Sequence, residues 1–416
     1  MQDMDPTVRD DYLWLLSGNA KALLTQTEQD FREKVNALTV NKRLRKSISP
    51  TQAAIVIEQA LLRARAKVKF ERAGELFFTR KSLEQATSER IARYKAMRFA
   101  GLSSVADICC GIGGDLIALA GREMPGGDHK TGEAAAQTVG IEMDELTAMF
   151  AAENLNVLGL EHASVTQATF EDTSLESFDG LHIDPDRRVK NRTVRGDFFQ
   201  PPLSEIRQRA GDEQSLAIKV APATPQHRST PDDAETEWIG DNRECKEQVI
   251  WSGPVTNNPG SRTATYINSK HEAFHFTASA EELALSRPNP PKKLGAAIYE
   301  PHPSVLAANL VNPLANRLGL RPVDRQIDYL TGKPSEKCKL IRKFRIDVEL
   351  KLNLKLLFKE LRERKIGHIV VKKRGVDQAT FDNIHSLKIA GENKATIIAT
   401  RHNGARLALI TNIERR

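Results

Sequence analysis

The chain has 416 residues, enough for two or three domains each burying its own core, and its 40% hydrophobic and 28% charged residues are ordinary for a globular protein. No apolar run approaches the roughly 18 residues a membrane helix needs, and the acidic start MQDMDPTVRD lacks a signal-peptide pattern, so a cytoplasmic protein without a membrane partner is expected. The net charge of +7 is uneven: residues 336–416 hold 20 Lys and Arg against 9 Asp and Glu, a net of +11, which leaves everything before them at −4.

Residues 1–95 are expected to form a helical domain. Leu13, Leu15 and Leu16, then Ile55, Ile57, Ala60, Leu61 and Leu62, make apolar stripes without the alternation of a strand. Ser49-Pro50 has the form of a helix start, with proline at the first helical position, and Ser88 that of a cap for a helix running to Phe99. Residues 63–98 carry 11 Lys and Arg against 4 Glu, a second basic segment.

A sheet domain over residues 96–286 is expected next. It opens with Asp107-Ile108-Cys109-Cys110-Gly111-Ile112-Gly113-Gly114-Asp115, which follows Val105-Ala106 and leads into Leu116-Ile117-Ala118-Leu119-Ala120. That is a strand, a glycine turn and a helix, and such a turn at the carboxyl end of a first parallel strand is where open α/β sheets bind nucleotides. A dinucleotide fingerprint has a third glycine three residues on, for close helix–sheet packing; here that position is Leu116. Asp107 and Asp115 bracket the turn and would repel a pyrophosphate, whereas they suit the sulfonium and ammonium of S-adenosylmethionine. The donor site is therefore expected at Asp107, Gly111, Gly113 and Asp115, and a dehydrogenase reading is set aside.

Residues 121–137 read as an exposed polar insertion. Thr138-Val139-Gly140-Ile141-Glu142-Met143-Asp144 is a second strand ending in acid. Glu142 is placed to accept both ribose hydroxyls side by side, with Asp144 as second candidate. A helix over 146–158 stops at Gly159, and Ser164-Val165-Thr166 is a third strand. Residues 178–188 make the fourth strand and its exit, where Pro185 holds Asp184 extended and presents its carboxylate at the sheet edge. Asp184 there can accept a hydrogen bond from an amino or hydroxyl nucleophile, with Arg187 and Arg188 beside it to meet a substrate phosphate. Strands at Leu216–Val220, Gln248–Trp251 and Thr263–Ile267 complete seven.

A proline-rich hinge, Arg287-Pro288-Asn289-Pro290-Pro291-Lys292-Lys293, leads to a C-terminal α+β domain over 287–416. It reads as a helix over 304–318, a strand at 345–350, a basic amphipathic helix at 352–364, and strands at 366–372, 395–399 and 406–410. Its cations lie on the helix and on the turn Lys372-Lys373-Arg374-Gly375. Two basic segments flanking a near-neutral core point to a polyanion held by phosphate contacts. The cysteines, Cys109, Cys110, Cys245 and Cys338, form no C-x-x-C pair, which fits a reducing compartment; no metal is expected.

Over residues 96–275 the sequence resembles the class I S-adenosylmethionine-dependent methyltransferases. The D-x-C-C-G-I-G-G-D loop and the I-D-P-x-R-R exit are similar to a bacterial group that pairs this domain with a C-terminal THUMP-like domain. Residues 75–87 (ELFFTRKSLEQAT) also resemble that group and, more distantly, the trimethylguanosine synthases. Tyr329-Leu330-Thr331-Gly332 and Val371-Lys372-Lys373-Arg374-Gly375-Val376 match the THUMP-like arrangement. The resemblance implies a Rossmann-like seven-stranded sheet, S-adenosylmethionine as cofactor, and methylation of a structured RNA such as tRNA or rRNA. Asp184 with Pro185 would then orient the nucleophile, and Lys372, Lys373 and Arg374 would help dock the RNA. The chain departs from the usual acceptor motif of amino methyltransferases: Asp186 stands for the second proline and Arg187 for the aromatic. Where the group often has an acid near the adenine, it has Ala168-Thr169-Phe170, with Glu171 and Asp172 following. Methylation of a small molecule or protein, and a non-catalytic RNA-binding module retaining the fold, are the alternatives.

Overall fold

The structure is a computed structural model that describes residues 4–123, 137–187, 199–211, 213–225, 230–386 and 388–414. The chain divides into two units, Met1–Glu235 with Gln248–Pro259, and Thr236–Glu247 with Gly260–Arg416.

The first unit begins with helices α1 (Pro6–Leu16), α2 (Lys21–Arg32), α3 (Ala37–Leu44), α4 (Pro50–Ala66), α5 (Arg80–Gln85) and α6 (Glu89–Ala96). Ser49 caps α4 as expected: its side chain accepts from the Gln52 amide, Gln52 answers onto the Ser49 amide, and Pro50 fills the first turn. Ser88 precedes α6 without a side-chain cap bond. Between α4 and α5 the chain makes turns and then crosses residues 76–79 with no strand partner, where side chains satisfy the backbone. Gln59 of α4 donates to the Phe78 carbonyl at 2.7 Å and accepts from its amide at 3.1 Å, and Arg63 donates to the Leu76 carbonyl at 2.8 Å.

The sheet follows: β1 (Ser104–Ile108), α7 (Gly114–Ala120), β2 (Gln137–Glu142), α8 (Glu145–Val157), β3 (Ala163–Gln167), β4 (Gly180–Ile183), the short pair β5 (Asp186–Arg187) and β6 (Phe199–Gln200), α9 (Leu203–Arg209) and β7 (Ser215–Val220). β1 lies between β2 and β4, β3 flanks β2 and β7 flanks β4, all parallel, and residues 248–252 close antiparallel on β7. The expected 121–137 insertion falls almost entirely outside the described residues.

The helical part is not a separate domain, as the boundary at residue 95 implied. Leu15, Leu44, Val56 and Phe78 share one core with Ile112 of the glycine turn and Phe150 of α8. Buried Asn154 of α8 ties these parts together, accepting from the Phe77 amide at 2.7 Å and donating to the carbonyls of Phe77 (3.1 Å) and Ile112 (3.0 Å).

Close helix–strand packing, for which a dinucleotide fold places its third glycine in the helix, is obtained here from the opposite side. Leu116 stays large and Gly140 of β2 makes the room: a Cβ there would stand 2.6 Å from Leu116 Cδ2 and 2.9 Å from Cys110 Sγ. Leu116 is fully buried and has little freedom to yield. Gly140→Ala should therefore destabilise the protein by about 1–3 kcal/mol. Thermal unfolding would read this, and Leu116→Ala in the same chain should recover part of the loss.

In the second unit the chain forms β8 (Glu235–Asp241), most of whose residues belong here, β9 (Glu244–Ser252), which begins here, β10 (Arg262–Ile267), β11 (Ala273–Ala278), α10 (Ala280–Leu283), β12 (Ala297–Pro301), α11 (Pro303–Ala307), α12 (Val311–Leu318), β13 (Arg321–Asp324), β14 (Ile327–Thr331), β15 (Ile341–Lys351), α13 (Leu354–Glu363), β16 (Ile366–Lys373), α14 (Gln378–His385), β17 (Asn393–His402) and β18 (Ala405–Glu414). The strand expected as seventh at Thr263–Ile267 is β10, paired parallel with β8 and antiparallel with β11. β8 escaped the sequence reading because Glu235, Glu237 and Asp241 make it look exposed. In fact Glu237 is fully buried and accepts from the Thr265 hydroxyl.

Seven strands form one sheet in the order β13-β14-β12-β15-β18-β17-β16. β17 and β18 bury both faces: Ile397, Ala408 and Ile410 pack with Leu357 and Leu361 of α13, whereas Ile398, Leu407 and Leu409 pack with Tyr329 and Phe344. The hinge of residues 287–293 has no regular structure and lies inside this unit rather than at its border. Arg287 anchors it, donating to the Ile327 carbonyl at 2.5 Å and pairing with Asp328 at 3.0 Å.

Candidate active site

The glycine turn joins β1 to α7 through three residues with positive φ: Cys109 (59°), Gly111 (57°) and Gly113 (88°). The Gly111 amide donates to Glu142 Oε2 at 3.0 Å, and the Gly113 amide closes the turn onto the Cys110 carbonyl at 3.0 Å. A Cβ on Gly111 would meet nothing within 4 Å, so this face of the turn is open. Glu142 Oε1 accepts from the Asp144 amide at 2.9 Å. Each carboxylate oxygen has a second lone pair, so Glu142 retains two acceptor positions, and burial pushes its pKa up. Asp144, the second ribose candidate, instead caps α8 through the Thr147 amide.

Behind the turn lies a buried charged network. Asp107, one residue before the end of β1, is in register with His182 of β4, whose Nδ1 lies 2.7 Å from Asp107 Oδ1. His182 Nε2 is 3.3 Å from Lys95 Nζ. An ammonium only donates, so these contacts are satisfied when Nε2 accepts and Nδ1 donates to Asp107. Lys95, 1% exposed, reaches from α6 to Asp115 Oδ1 at 2.9 Å, and Thr87 donates to Asp115 Oδ2 at 2.7 Å. Burial raises the Asp107 pKa. At Asp115 burial pushes the same way, but Lys95, His182 and Lys219 outweigh it and hold the carboxyl well below its usual range.

Asp115 was expected to face the donor. It is turned inward instead, because α6 brings a cation under the start of α7. Asp107 keeps one atom in reserve: its Oδ2 is buried without a hydrogen-bond partner among the described residues.

Asp184 stands just past β4, its amide donating to the Ile108 carbonyl at 3.1 Å, with a side chain one-third exposed. Lys219 of β7 holds Asp184 Oδ2 at 2.5 Å and lies 4.0 Å from Asp115 Oδ2. Pro185 is buried. Asp186, at the position of the usual second proline, is held by Lys81 at 3.2 Å and Gln85 at 3.4 Å, both on α5. The backbone of Arg187 pairs with Phe199, and Arg188 lies outside the described residues. Thr169 accepts from the Asp172 amide at 3.2 Å and donates to Asp172 Oδ2 at 2.8 Å, so that carboxylate is engaged by its own turn.

A THUMP domain-like model matches residues 341–412, and a model for a domain of unknown function matches residues 8–66. Two Mycobacterium tuberculosis proteins, from strains CDC 1551 and H37Rv, are each named an uncharacterized S-adenosylmethionine-dependent methyltransferase. Each is 26% identical over 378 residues, covering 86% of this chain and 96% of theirs. A crystal structure of a candidate methyltransferase from Porphyromonas gingivalis W83 shares the fold, with a TM-score of 0.72 and 22% identity over 95% of this chain and 99% of that one. Over most of its length the chain is similar to proteins named S-adenosylmethionine-dependent methyltransferases.

The methyltransferase site fits that cofactor. The open turn at Gly111, the spare acceptor positions of Glu142 and the reserved Asp107 Oδ2 offer acceptors for hydroxyl and ammonium groups. No phosphate-binding cation touches the turn's open face among the described contacts. No cluster of His, Cys, Asp and Glu suited to a metal occurs among the described residues, and no described helix is long and apolar enough to cross a membrane.

The cations expected to meet RNA are mostly spent inside the methyltransferase. In the 63–98 segment Arg63 pairs with Glu28, Arg72 with Glu75, Arg80 with Glu58 and Arg93 with Glu89, while Lys69 donates to three carbonyls. Lys372 holds both oxygens of Glu300 at 2.8 and 2.7 Å, Lys373 donates to Gln378, and Arg374 lies over the Tyr329 ring and 3.8 Å from Asp328. The exposed cations of residues 341–412 include Lys343, Lys351, Lys355, Lys365, Lys388 and Lys394.

Lys95, Lys219 and His182 were missed from sequence. For His182 and Lys219 the signal was a lone polar residue inside an apolar strand, as with Lys219 between Ile218 and Val220, and such a residue is rarely buried without a partner; Lys95 lies in a charged helix and gave no such signal.

Proposed function

We propose that the chain transfers the methyl group of S-adenosylmethionine to a nitrogen or oxygen of a structured RNA. The observation carrying this reading is that Asp184, the candidate acceptor acid, shares the cation Lys219 with Asp115 at the base of the donor turn. This shared cation supports a reading in which acceptor and donor sides meet at one sheet edge. S-adenosylmethionine supplies an electrophilic methyl group on a sulfonium. Asp184 accepts a hydrogen bond from the N–H or O–H of the nucleophile and aims its lone pair, and Glu142 holds the ribose. Positioning of this kind supplies most of the barrier reduction when the nucleophile is neutral. The THUMP-like match and the exposed lysines of residues 343–394 support a polyanionic substrate, held by phosphate contacts.

The test is transfer of label from methyl-tritiated S-adenosylmethionine by the purified protein. Total RNA from a strain lacking the gene should take up label, with a rate that falls steeply as salt rises. Label confined to protein or small molecules would contradict the reading.

A further inference from the structure

The parallel register of β4 and β7 pairs Ile183 with Ile218, so the next residues, Asp184 and Lys219, stand level at the sheet's carboxyl edge. Their contact is therefore built into the sheet. Lys219 is 12% exposed and Asp184 33% exposed, so the cation sits below the carboxylate and the carboxylate sits at the surface of the site. Lys219 Nζ takes Asp184 Oδ2 at 2.5 Å, and a carboxylate has a second oxygen, so Oδ1 remains to accept from a substrate. The same ammonium lies 4.0 Å from Asp115 Oδ2, and Asp115 is fixed in turn by Lys95 and Thr87.

We infer that Lys219 is a positioning residue for methyl transfer, acting through Asp184: it fixes one carboxylate oxygen so that the other meets the acceptor's N–H or O–H in line with the methyl group. The inference rests on the proposed reaction. An acid one-third exposed would otherwise rotate freely about its side-chain bonds, and misplacement by about 1 Å is enough to cost on the order of 100-fold in rate. Lys219 touches neither the nucleophile nor the methyl group. Asp115 retains Lys95 without it, so the core charge stays compensated.

The experiment compares wild type, Lys219→Met, Lys219→Arg, Asp184→Asn and the Lys219→Met/Asp184→Asn double variant. All act on total RNA from a strain lacking the gene, with methyl-tritiated S-adenosylmethionine. Lys219→Met should lower turnover by about 100-fold and leave both the KM for S-adenosylmethionine and the calorimetric affinity for S-adenosylhomocysteine at wild-type values. Lys219→Arg should restore much of the turnover, since it keeps a donor at the same edge. In the Asp184→Asn background, Lys219→Met should cost nothing further, the non-additivity expected of residues acting as a pair. Wild-type turnover in Lys219→Met would overturn the inference. So would an equal loss in both backgrounds, or loss of S-adenosylhomocysteine binding, which would make Lys219 a structural residue. Wild-type protein that labels no RNA would overturn the underlying reaction and the inference with it.

Discussion

Asp184→Asn should cut methyl transfer by about 10²–10⁴-fold, the range for losing a positioned proton acceptor, while calorimetry still detects S-adenosylmethionine binding. The two effects separate because the acceptor and donor groups are different residues. Glu142, the Gly111 amide and Asp107 are the groups proposed for the donor, and among the described residues none of them has a hydrogen bond or ion pair with Asp184. Asparagine keeps the shape of the side chain and the backbone bond from residue 184 to Ile108, but it gives up the negative charge facing Lys219. Wild-type turnover in this variant would remove Asp184 from the mechanism.

Lys95→Met should be the most destabilising substitution in the site. Lys95 is 1% exposed and its ammonium reaches Asp115 Oδ1 at 2.9 Å and His182 Nε2 at 3.3 Å. Removing it leaves the buried Asp115 with Thr87, His182 Nε2 at 3.9 Å and Lys219 at 4.0 Å. Breaking such a buried pair from one side costs about 3–5 kcal/mol, which corresponds to a fall in Tm of roughly 10 °C for a domain of this size. Replacing Asp115 by Leu in the same chain should recover part of the loss, because an apolar pair needs no compensation. A change below about 1 kcal/mol would show that Asp115 finds another cation.

The parts of this molecule legible in sequence were those whose signal is local. The glycine turn, Glu142 at the end of β2 and Asp184-Pro185 after β4 lie where residue type and order placed them, because backbone conformation and strand-end position follow from short stretches of chain. The Ser49 capping box was likewise readable. What could not be read depended on register and on distant partners. Gly140 looked like any small residue in a strand, yet it supplies the clearance that a nucleotide fold takes from a helix glycine. Asp115 looked like a donor ligand until α6 was seen to put Lys95 beneath it. β8 looked too acidic to be buried, because Glu237 carries its partner 28 residues further along the chain. Charge counting misled in the same way over residues 63–98, where the carboxylates that neutralise the cations, Glu28 and Glu58, lie before the segment.

The most direct test of the central claim is mass spectrometry of nucleosides from total RNA of cells with and without the gene. The account predicts that one methylated nucleoside is lost or depleted in the deletion, returns with the wild-type gene and stays absent with Asp184→Asn. An unchanged set of methylated nucleosides would contradict an RNA substrate. Restoration by the Asp184→Asn gene would contradict the role given to the carboxylate at the end of β4.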